Sequence, residues 1–353
     1  MRSVGSEKGV ASMVLLRPFL FAALLLSPTD LTDLTDLTDL TDLTDLTDPP
    51  PAPRPGWRPL IGEYGRDTTT RVMVLERGGL LLARHPGGPE DTLRTGPGGS
   101  FSTSHGPIRF RLANGRALSV TLADSAWPRR PLGEPGTVFR IEPVRPVPEL
   151  RREALEASPP RETGEFRATD LVELVRLDST IRLDIRYATA RNFLGTPVYT
   201  QARAFLQRPA ALAVARIHRR LRVMGLGLLI HDGYRPWYVT RIFWDATPPA
   251  QHEFVANPEE GSRHNRGCAV DLSLYDLKTG RPIDMPGLYD EFSHRSSPDY
   301  PGGTSRQRWY RDLLRREMEA EGFTVNQSEW WHFDCRDWRS YRIGNIPFEL
   351  ISD

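Results

Sequence analysis

Two short stretches near the C-terminus must meet in space if the residues they carry are to act together. The first contains His264 and, seven residues later, Asp271, and the second contains Glu329 and, three residues later, His332. Two imidazoles and a carboxylate form a typical protein ligand set for a catalytic divalent ion, which keeps a fourth position open for water. The sequence therefore predicts a fold in which these two stretches converge on one metal ion.

Either half of this pattern is weak evidence alone. His-x6-Asp pairs occur in many surface loops, and Glu-x-x-His on a helix is an ordinary solvated pair. Their joint occurrence, with Gly267 between the first two residues and two tryptophans beside the last, favours the metal site. If the stretch from Glu329 to His332 is an extended strand, these two side chains lie on opposite faces unless the strand bends or bulges beside the metal.

The same residues resemble the zinc D-alanyl-D-alanine dipeptidases of the vancomycin-resistance type, a branch of the peptidoglycan-directed D,D-peptidases. The resemblance extends from about residue 171 to residue 338 and rests on five motifs in family order. These are residues 184–189 with Asn192-Phe193, residues 232–236, Ser262-x-His264-x-x-Gly267-x-x-x-Asp271, Asp290-Glu291-Phe292 and Glu329-Trp330-Trp331-His332.

The resemblance implies one Zn²⁺ ion per catalytic domain, bound by His264, Asp271 and His332. It also implies that Glu329 is the general base and that Arg235 polarises the scissile carbonyl. A carboxylate can take the proton of a water activated by zinc and pass it to the leaving amine. Arg235 stays charged and offers forked donors to an oxyanion or a carboxylate. A structural ion pair with Asp232 is the alternative for this arginine.

A free dipeptide carries one ammonium and one carboxylate, so a site that selects it should present an acidic group at one end. The resemblance implies Asp290 as the residue that binds the ammonium, with the adjacent Glu291 as the alternative. Ser262 and Tyr187 are candidate hydrogen-bonding residues in the wall of the site. For Ser262 the alternative is that it only braces the metal-binding loop.

The function implied is zinc-dependent hydrolysis of D-alanyl-D-alanine or a related D,D-dipeptide in cell-wall peptide turnover. One alternative is a D,D-carboxypeptidase that acts on peptidoglycan stem peptides, and another is a non-catalytic cell-wall-binding protein. The motif at 184–189 and the paired tryptophans favour the dipeptidase, and a general base would serve no purpose in mere binding. Lysine and arginine number 46 against 45 acidic residues, so charge predicts no nucleic-acid partner. The expected partner is a small D,D-dipeptide.

The N-terminus indicates export. Residues 1–28 contain three basic residues and then an apolar run at 19–26 that is too short to span a bilayer, which predicts a signal peptide, with an uncleaved membrane anchor as the alternative. We therefore expect a periplasmic or extracellular protein. Residues 29–56, with six Leu-Thr-Asp repeats followed by a proline-rich stretch, predict a disordered linker.

The two cysteines flank the candidate ligands. Cys268 lies between the first two of them, and Cys335 follows His332 by three residues, so both should lie near the metal. In an oxidising compartment they could form a disulfide that joins the two stretches. Two small buried thiols are the alternative.

The rest of the chain predicts an α+β catalytic domain preceded by a small all-β domain. Apolar runs on either side of Arg77-Gly78 and of Asn114-Gly115 predict two hairpins, and residues 57–143 are therefore assigned to an antiparallel β domain with no identified partner. Residues 144–169, rich in proline and charge, predict a second linker. Residues 170–353 form the predicted zinc D,D-dipeptidase domain.

Within that domain, apolar residues recur at spacings of three and four from 210 to 224, which predicts a helix with a solvent-facing row of arginines. A strand at 226–230 should lead to Arg235, and the alternation at 270–275 predicts a strand that carries Asp271. Ser305 is the expected cap of a second helix. A last strand is expected at 323–333, and the sheet should be mixed or antiparallel.

Overall fold

The computed structural model describes residues 48–66, 69–85, 87–97, 100–122, 124–133 and 137–351. The predicted signal peptide or anchor (1–28) and most of the predicted linker at 29–56, with its Leu-Thr-Asp repeats, lie outside the described residues. Residues 49–353 form one compact unit. Within the described ranges, no helix has the length and apolar character needed to cross a membrane.

The N-terminal part of this unit is rich in β-structure, and we call residues 62–133 the β region. It contains a four-stranded and a five-stranded antiparallel sheet. The first comprises β1 (Gly62–Arg66), β2 (Thr69–Arg77), β3 (Leu80–Arg84) and β4 (Glu90–Thr92), and the second β5 (Arg94–Thr95), β6 (Phe101–Thr103), β7 (Gly106–Ala113), β8 (Arg116–Leu122) and β9 (Ser125–Pro128). Both predicted hairpins are present, as β2–β3 and β7–β8. In the second, Asn114 and Gly115 both have positive φ (51° and 74°), as a type I′ turn requires.

Helices and strands alternate in the C-terminal part. They are α1 (Val147–Glu156), β10 (Leu171–Glu173), α2 (Leu174–Leu177), β11 (Arg182–Leu183), β12 (Phe205–Gln207), α3 (Arg208–Val223), β13 (Leu226–Asp232), α4 (Trp237–Ala246), β14 (Ala269–Asp276), α5 (Ser305–Ala320), β15 (Phe323–Asn326) and β16 (Glu329–Cys335). Five of the strands form a sheet in the order β11-β13-β14-β16-β15, while β10 and β12 pair separately. Only the β11–β13 pairing in this five-stranded sheet is parallel, so of the two predicted alternatives, a mixed or an antiparallel sheet, the structure has the mixed one.

The predicted helix at 210–224 is α3, which ends just before Gly225. Its arginines do more than face solvent, because Arg216 and Arg220 pair with Glu321, and Arg220 also pairs with Glu317 of α5. These ion pairs lie where α3 and α5 contact each other beside the sheet.

Two local predictions were wrong. The cap of α5 is Thr304 rather than Ser305: the Thr304 hydroxyl accepts a hydrogen bond from the backbone N–H of Gln307, and the Gln307 side chain accepts one from Thr304 in return. The expected single strand at 323–333 is instead the hairpin β15–β16. Its turn residues, Gln327 and Ser328, lack the Asn-Gly or Asp-Gly signal that marks a tight turn in a sequence.

The domain boundaries 57–143, 144–169 and 170–353 stay predictions of the sequence. In the structure, the described residues of all three segments belong to the same compact unit. The segment predicted as a linker contains α1, which buries Val147, Leu150 and Ala154 and contacts α4. These contacts join the segment to the hydrophobic core of the C-terminal part.

A buried carboxylate joins the β region to the C-terminal part. Glu63 on β1 is 2% exposed, and one of its oxygens accepts hydrogen bonds from His294 Nε2 at 2.8 Å and from the Tyr300 hydroxyl at 2.7 Å. The other accepts from the Thr70 hydroxyl and from Arg130 at 3.2 Å. Burial alone would raise the pKa of Glu63, but these partners together lower it to about 2.

This lowered pKa predicts how stability depends on pH. A carboxyl with an ordinary pKa of 4.5 and a folded-state pKa of about 2 stabilises the fold above pH 4.5, and the stabilisation is lost as the pH falls toward 2. We expect Glu63→Gln to lower the free energy of unfolding by about 3 kcal/mol at neutral pH and by less below pH 4.5. Urea titrations between pH 3 and pH 7 measure this difference. The exposed Glu142→Gln is the control, and a loss for Glu63→Gln that does not shrink in acid would contradict the assignment.

Candidate metal centre and cleft

Two neighbouring strands and the turn before one of them place the candidate ligands side by side. Asp271 on β14 lies directly opposite His332 on β16, and Asp232, the last residue of β13, lies opposite Asp271 on the other side. His264 comes from a short 3₁₀ turn just before β14. Gly267 ends this turn with φ +67°, and a Cβ there would lie 2.6 Å from a neighbouring side chain, so the sharp entry into β14 depends on glycine.

The three candidate ligand atoms converge. His264 Nε2 lies 3.1 Å from His332 Nδ1 and 3.3 Å from Asp271 Oδ1, and His332 Nδ1 lies 3.1 Å from the same Asp271 oxygen. All three residues are buried. Ligand atoms 2.0–2.1 Å from a tetrahedral ion are about 3.3 Å apart, so this triangle has the dimensions of a zinc-sized site.

The remaining nitrogen of each imidazole has a partner outside the triangle. His264 Nδ1 lies 2.7 Å from the Gly233 carbonyl oxygen, and His332 Nε2 lies 2.9 Å from Asp334 Oδ1. When these nitrogens donate their protons outward, the lone pairs of the other two face the centre, as metal binding requires. Burial alone would raise the pKa of Asp271, but the two imidazoles hold it well below its ordinary value, so this carboxylate is ionised.

Glu329 lies beside the triangle because β16 is irregular. Val325 pairs with Phe333, whereas the next residue, Asn326, pairs with Glu329, so β16 bulges between these two pairs. In a regular strand Glu329 and His332 would lie on opposite faces, so an irregularity of this kind is needed to bring both to the site. It brings Glu329 Oε2 to 3.5 Å from His332 Nδ1, and Asn326 donates a hydrogen bond to the same oxygen at 3.0 Å. Desolvation in the cleft raises the pKa of Glu329.

Arg235 is held by the ion pair that the sequence offered as an alternative. Its Nε and one terminal nitrogen lie 2.9 Å and 2.8 Å from Asp232 Oδ2, and its guanidinium stacks on the ring of Phe243 at 4.8 Å. The terminal nitrogen also lies 3.9 Å from Asp271 Oδ2, at the edge of the triangle. The ion pair therefore aims a fixed positive charge at the candidate metal centre. That Arg235 polarises the scissile carbonyl of a substrate stays a prediction.

Asp290 is a buried carboxyl with half of its hydrogen-bonding capacity unused. The Tyr187 hydroxyl donates to Oδ1 at 2.8 Å, whereas Oδ2 is buried without a hydrogen-bond partner. Burial and the nearby charge of Asp271 raise the pKa of Asp290 to about 8. Glu291 is the alternative residue for binding the ammonium, but both of its carboxylate oxygens already accept hydrogen bonds within the loop. One accepts from the Ser293 hydroxyl and the other from the backbone N–H of residue 288.

One cavity of about 360 Å³ contacts every candidate residue. These are Tyr187, Arg235, Ser262, His264, Asp271, Asp290, Glu329 and His332. The Ser262 hydroxyl accepts a hydrogen bond from the His264 backbone N–H at 3.2 Å, so this serine both braces the loop and borders the cavity. Further walls are aromatic and include Phe254, Phe292 and Trp331. The lining of the cavity therefore combines charged and polar side chains with aromatic ones.

The part of the chain that contains this site is similar in sequence to known proteins. Residues 167–343 match the D-ala-D-ala dipeptidase family, peptidase family M15. The chain belongs to this family. It is 36% identical to the D-alanyl-D-alanine dipeptidase of Escherichia coli K12 over 175 residues, which cover 50% of this chain and 89% of that protein. The enzymes of the same name from Streptomyces coelicolor and Enterococcus faecalis V583 are 36% identical over 196 residues (50% and 93% covered) and 33% identical over 175 residues (44% and 87% covered).

Sequence reasoning missed three residues that support the centre of this M15 peptidase. Asp334 contacts His332 and also lies 3.3 Å from the Arg263 guanidinium. Tyr289 donates a hydrogen bond to Asp271 Oδ2 at 3.3 Å, and Asn326 contacts Glu329. Asp334 could have been found, because the second residue after a ligand on a strand faces the same side. Tyr289 and Asn326 come from loop and hairpin geometry that the sequence does not reveal.

The two cysteines of the M15 peptidase form a disulfide between Cys268 and Cys335, with Cα atoms 5.1 Å apart. The sequence left open a disulfide or two buried thiols, and the structure contains the disulfide. The bond joins the start of β14 to the end of β16, where the Cys335 N–H also donates to the Cys268 carbonyl at 2.7 Å. It therefore ties together the two strands that carry Asp271 and His332.

The contact between Asp334 and His332 gives a prediction about metal affinity. Asp334→Asn keeps a hydrogen-bond acceptor but removes a negative charge. In the wild type this charge orients the His332 imidazole and increases its basicity. We expect Zn²⁺ to bind about 10-fold more weakly, as measured by competition with a chelator of known affinity. Asp337→Asn is the matched control, because Asp337 pairs with Arg167 at the exposed surface. Equal affinities in the two variants would contradict this role for Asp334.

Proposed function

We propose that this protein is a zinc-dependent dipeptidase that hydrolyses D-alanyl-D-alanine or a closely related D,D-dipeptide. One observation carries the proposal: a single cavity combines a two-histidine, one-aspartate triangle with the half-satisfied buried carboxyl of Asp290. The triangle of ligands suits metal-dependent peptide hydrolysis, and the Asp290 carboxyl suits a substrate with a free ammonium. Membership of the M15 family and the names of its relatives support the same reaction.

The proposed zinc ligands are His264 Nε2, Asp271 Oδ1 and His332 Nδ1. Two nitrogens and one carboxylate oxygen at tetrahedral spacing suit zinc, and the outer contacts of both imidazoles leave the required lone pairs free. When bound, zinc supplies Lewis acidity, which lowers the pKa of a coordinated water to about 7 and polarises the scissile carbonyl. Zinc rather than another divalent ion is part of the proposal.

Glu329 is the proposed general base. Its carboxylate lies 3.5 Å from a candidate ligand atom, so it can reach a water at the open position of the centre. It accepts the proton of the attacking water and then delivers it to the nitrogen of the leaving amino acid. A pKa raised by desolvation suits both steps, since it brings the carboxyl closer to neutral pH.

Arg235 is proposed to stabilise the oxyanion that develops on the scissile carbonyl. The Asp232 carboxylate fixes its guanidinium, and its positive charge persists because the pKa of Arg235 is raised well above its ordinary value. A donor oriented before the reaction needs no rearrangement in the transition state. Ser262 and Tyr187 are proposed to complete the wall around the substrate, Tyr187 through its bond to Asp290.

Asp290 is the proposed acceptor for the substrate ammonium. An ammonium placed against Oδ2 would satisfy the oxygen that has no partner and would favour the charged form of the carboxyl. A substrate acylated at this nitrogen would leave the oxygen unsatisfied, which costs binding. This distinction favours the dipeptidase over a D,D-carboxypeptidase, whose stem-peptide substrates carry an amide at that nitrogen.

We also propose that the enzyme acts outside the cytoplasm in cell-wall peptide turnover, with attachment to the membrane through the N-terminal segment as the alternative to a released form. The basic and apolar N-terminal segment supports export. A disulfide beside the active site also suits an oxidising compartment. Cell fractionation tests this part, and activity confined to the cytosol would overturn it.

A pair of substrates tests the proposed function. We expect the zinc-loaded protein to hydrolyse D-Ala-D-Ala with kcat/KM at least about 100-fold higher than N-acetyl-D-Ala-D-Ala, because the acylated nitrogen cannot pair with Asp290. Asp290→Asn should lower kcat/KM for the free dipeptide. A preference for the acetylated compound would identify a carboxypeptidase instead. Absence of hydrolysis of both compounds would favour the binding protein.

A second test addresses the general base. Glu329→Gln should lower kcat by about 10²–10⁴-fold while one zinc per chain remains bound, because the side chain acts on the proton rather than on the metal. Glu319→Gln, an exposed residue of α5 that pairs with Arg315, is the control and should leave kcat unchanged. If Glu329→Gln retains full activity, the base is another group.

A further inference from the structure

The loop between β14 and α5 reaches from the cleft to the β region. We call residues 285–303 the cleft loop. Its cleft side supplies Tyr289, which donates a hydrogen bond to Asp271, and also Asp290 and Phe292, which line the cavity. Asp290 has φ +61°, a left-handed conformation that a non-glycine residue keeps only when its surroundings hold it there. The position of Asp290 therefore depends on what fixes the rest of the loop.

The β region fixes the opposite side of the cleft loop. Glu63 accepts hydrogen bonds from His294 and Tyr300, four and ten residues after Asp290. The Arg295 guanidinium bridges the two parts by donating to the carbonyl oxygen of Leu132 in the β region and to that of Pro286 within the loop.

A second buried carboxylate of the β region holds the end of the loop. The Glu76 backbone N–H donates to the Gly303 carbonyl at 3.0 Å, and the Glu76 side chain accepts from the backbone N–H of Ser305 at 2.8 Å and from its hydroxyl. Arg308 of α5 donates in turn to the Glu76 carbonyl oxygen at 2.8 Å. The cleft loop is thus anchored by the β region both in its middle and at its C-terminal end.

These anchors are specific rather than incidental surface contacts. Glu63 and Glu76 are each 2% exposed, and a buried carboxylate is tolerated only when hydrogen-bond donors satisfy it. His294 and Tyr300 of the cleft loop donate to Glu63. For Glu76 the donors include the backbone N–H and hydroxyl of Ser305, the first residue of α5 after the loop. Gly133 has φ +60°, and a Cβ there would lie 2.2 Å from the Arg295 guanidinium, so a larger residue would force this guanidinium to move.

The β region lies outside the part of the chain that matches the M15 family. That match covers residues 167–343, which include the whole cleft loop but none of its anchors in the β region. The support that this chain gives to the loop from Glu63 and Glu76 is therefore additional to the shared catalytic part.

We propose that the β region is a positioning element of the active site and that Glu63 is its principal positioning residue. By holding His294 and Tyr300, Glu63 keeps the cleft loop in the conformation in which Asp290 faces the cavity. The β region thereby sets the affinity for substrates with a free α-ammonium. This last step rests on the proposed function, whereas the positioning of the loop does not.

Kinetics of the zinc-saturated full-length protein test the proposal. We expect Glu63→Gln, Tyr300→Phe and His294→Ala to raise KM for D-Ala-D-Ala, by about 10-fold in Glu63→Gln, with kcat changed much less, because they displace the ammonium acceptor and leave the metal and the base in place. Partial unfolding would instead lower apparent kcat at unchanged KM. His294 is half-exposed, so its variant should fold even if Glu63→Gln does not.

Asp91→Asn is the matched control, since Asp91 in the β region accepts hydrogen bonds from Ser104 of the same region. It should leave KM unchanged. A double variant of Glu63 and Tyr300 should raise KM by no more than the larger single effect, because both residues belong to one hydrogen bond. Unchanged KM in all three single variants would overturn the proposal.

Hydrogen exchange separates this proposal from the proposed function. Amides of residues 285–303 should exchange faster in Tyr300→Phe than in the wild type and at the wild-type rate in Asp91→Asn. If the wild type hydrolyses no D,D-dipeptide, the proposed function fails, and exchange alone then decides whether Glu63 positions the loop. Unchanged exchange in the Tyr300→Phe and His294→Ala variants would overturn the positioning role whatever the activity.

Discussion

The register of two antiparallel strands is the constraint on which the candidate site depends. Asp271 on β14 lies opposite His332 on β16, and a slip of one residue would turn one of them to the other face of the sheet. Two features oppose such a slip. Val270 and Phe333, which are paired neighbours of these residues, are fully buried in the core, and the Cys268–Cys335 disulfide closes the end of the same ladder. The hydrophobic core thus fixes the geometry of a polar site.

The sequence was sufficient to predict the candidate site residues that lie in short, recognisable motifs. His264, Asp271, His332 and Glu329 were identified from the joint occurrence of two motifs, each weak alone, and from the family resemblance that they carry, and the structure brings all four together. The same reasoning required a bend or a bulge beside the metal if Glu329 and His332 are to act together, and β16 bulges there. Helix α3 was predictable because its apolar residues follow one face. Each of these motifs lies within a few turns of helix or a few residues of strand, although the metal site was predicted only because two of them occur together.

What could not be predicted depends on contacts between distant parts of the chain. The cap of α5 is an exception, because Thr304 has Gln307 three residues later, the spacing of a capping box, whereas Ser305 has Arg308, so the sequence did contain the signal that selects Thr304. The ion pairs of the α3 arginines with α5 join residues about 100 positions apart. Glu63 and His294 are 231 residues apart, and neither belongs to a motif. A buried carboxylate on an edge strand gives no sign in the sequence of the donors that will surround it.

Glu63 and Asp290 show how the partners of a buried carboxyl decide its role. Four donors surround the Glu63 carboxylate, and its pKa falls to about 2 despite burial. Asp290 has one donor, Tyr187, and lies near another negative charge, so burial dominates and its pKa rises to about 8. The first carboxyl suits an anchor because hydrogen-bond donors already contact both of its oxygens. The second gains from the arrival of a cation, which is the property that a binding residue needs. Glu63 accepts hydrogen bonds from two residues of the loop that carries Asp290, and in the proposed arrangement this contact keeps the unsatisfied carboxyl facing the cavity.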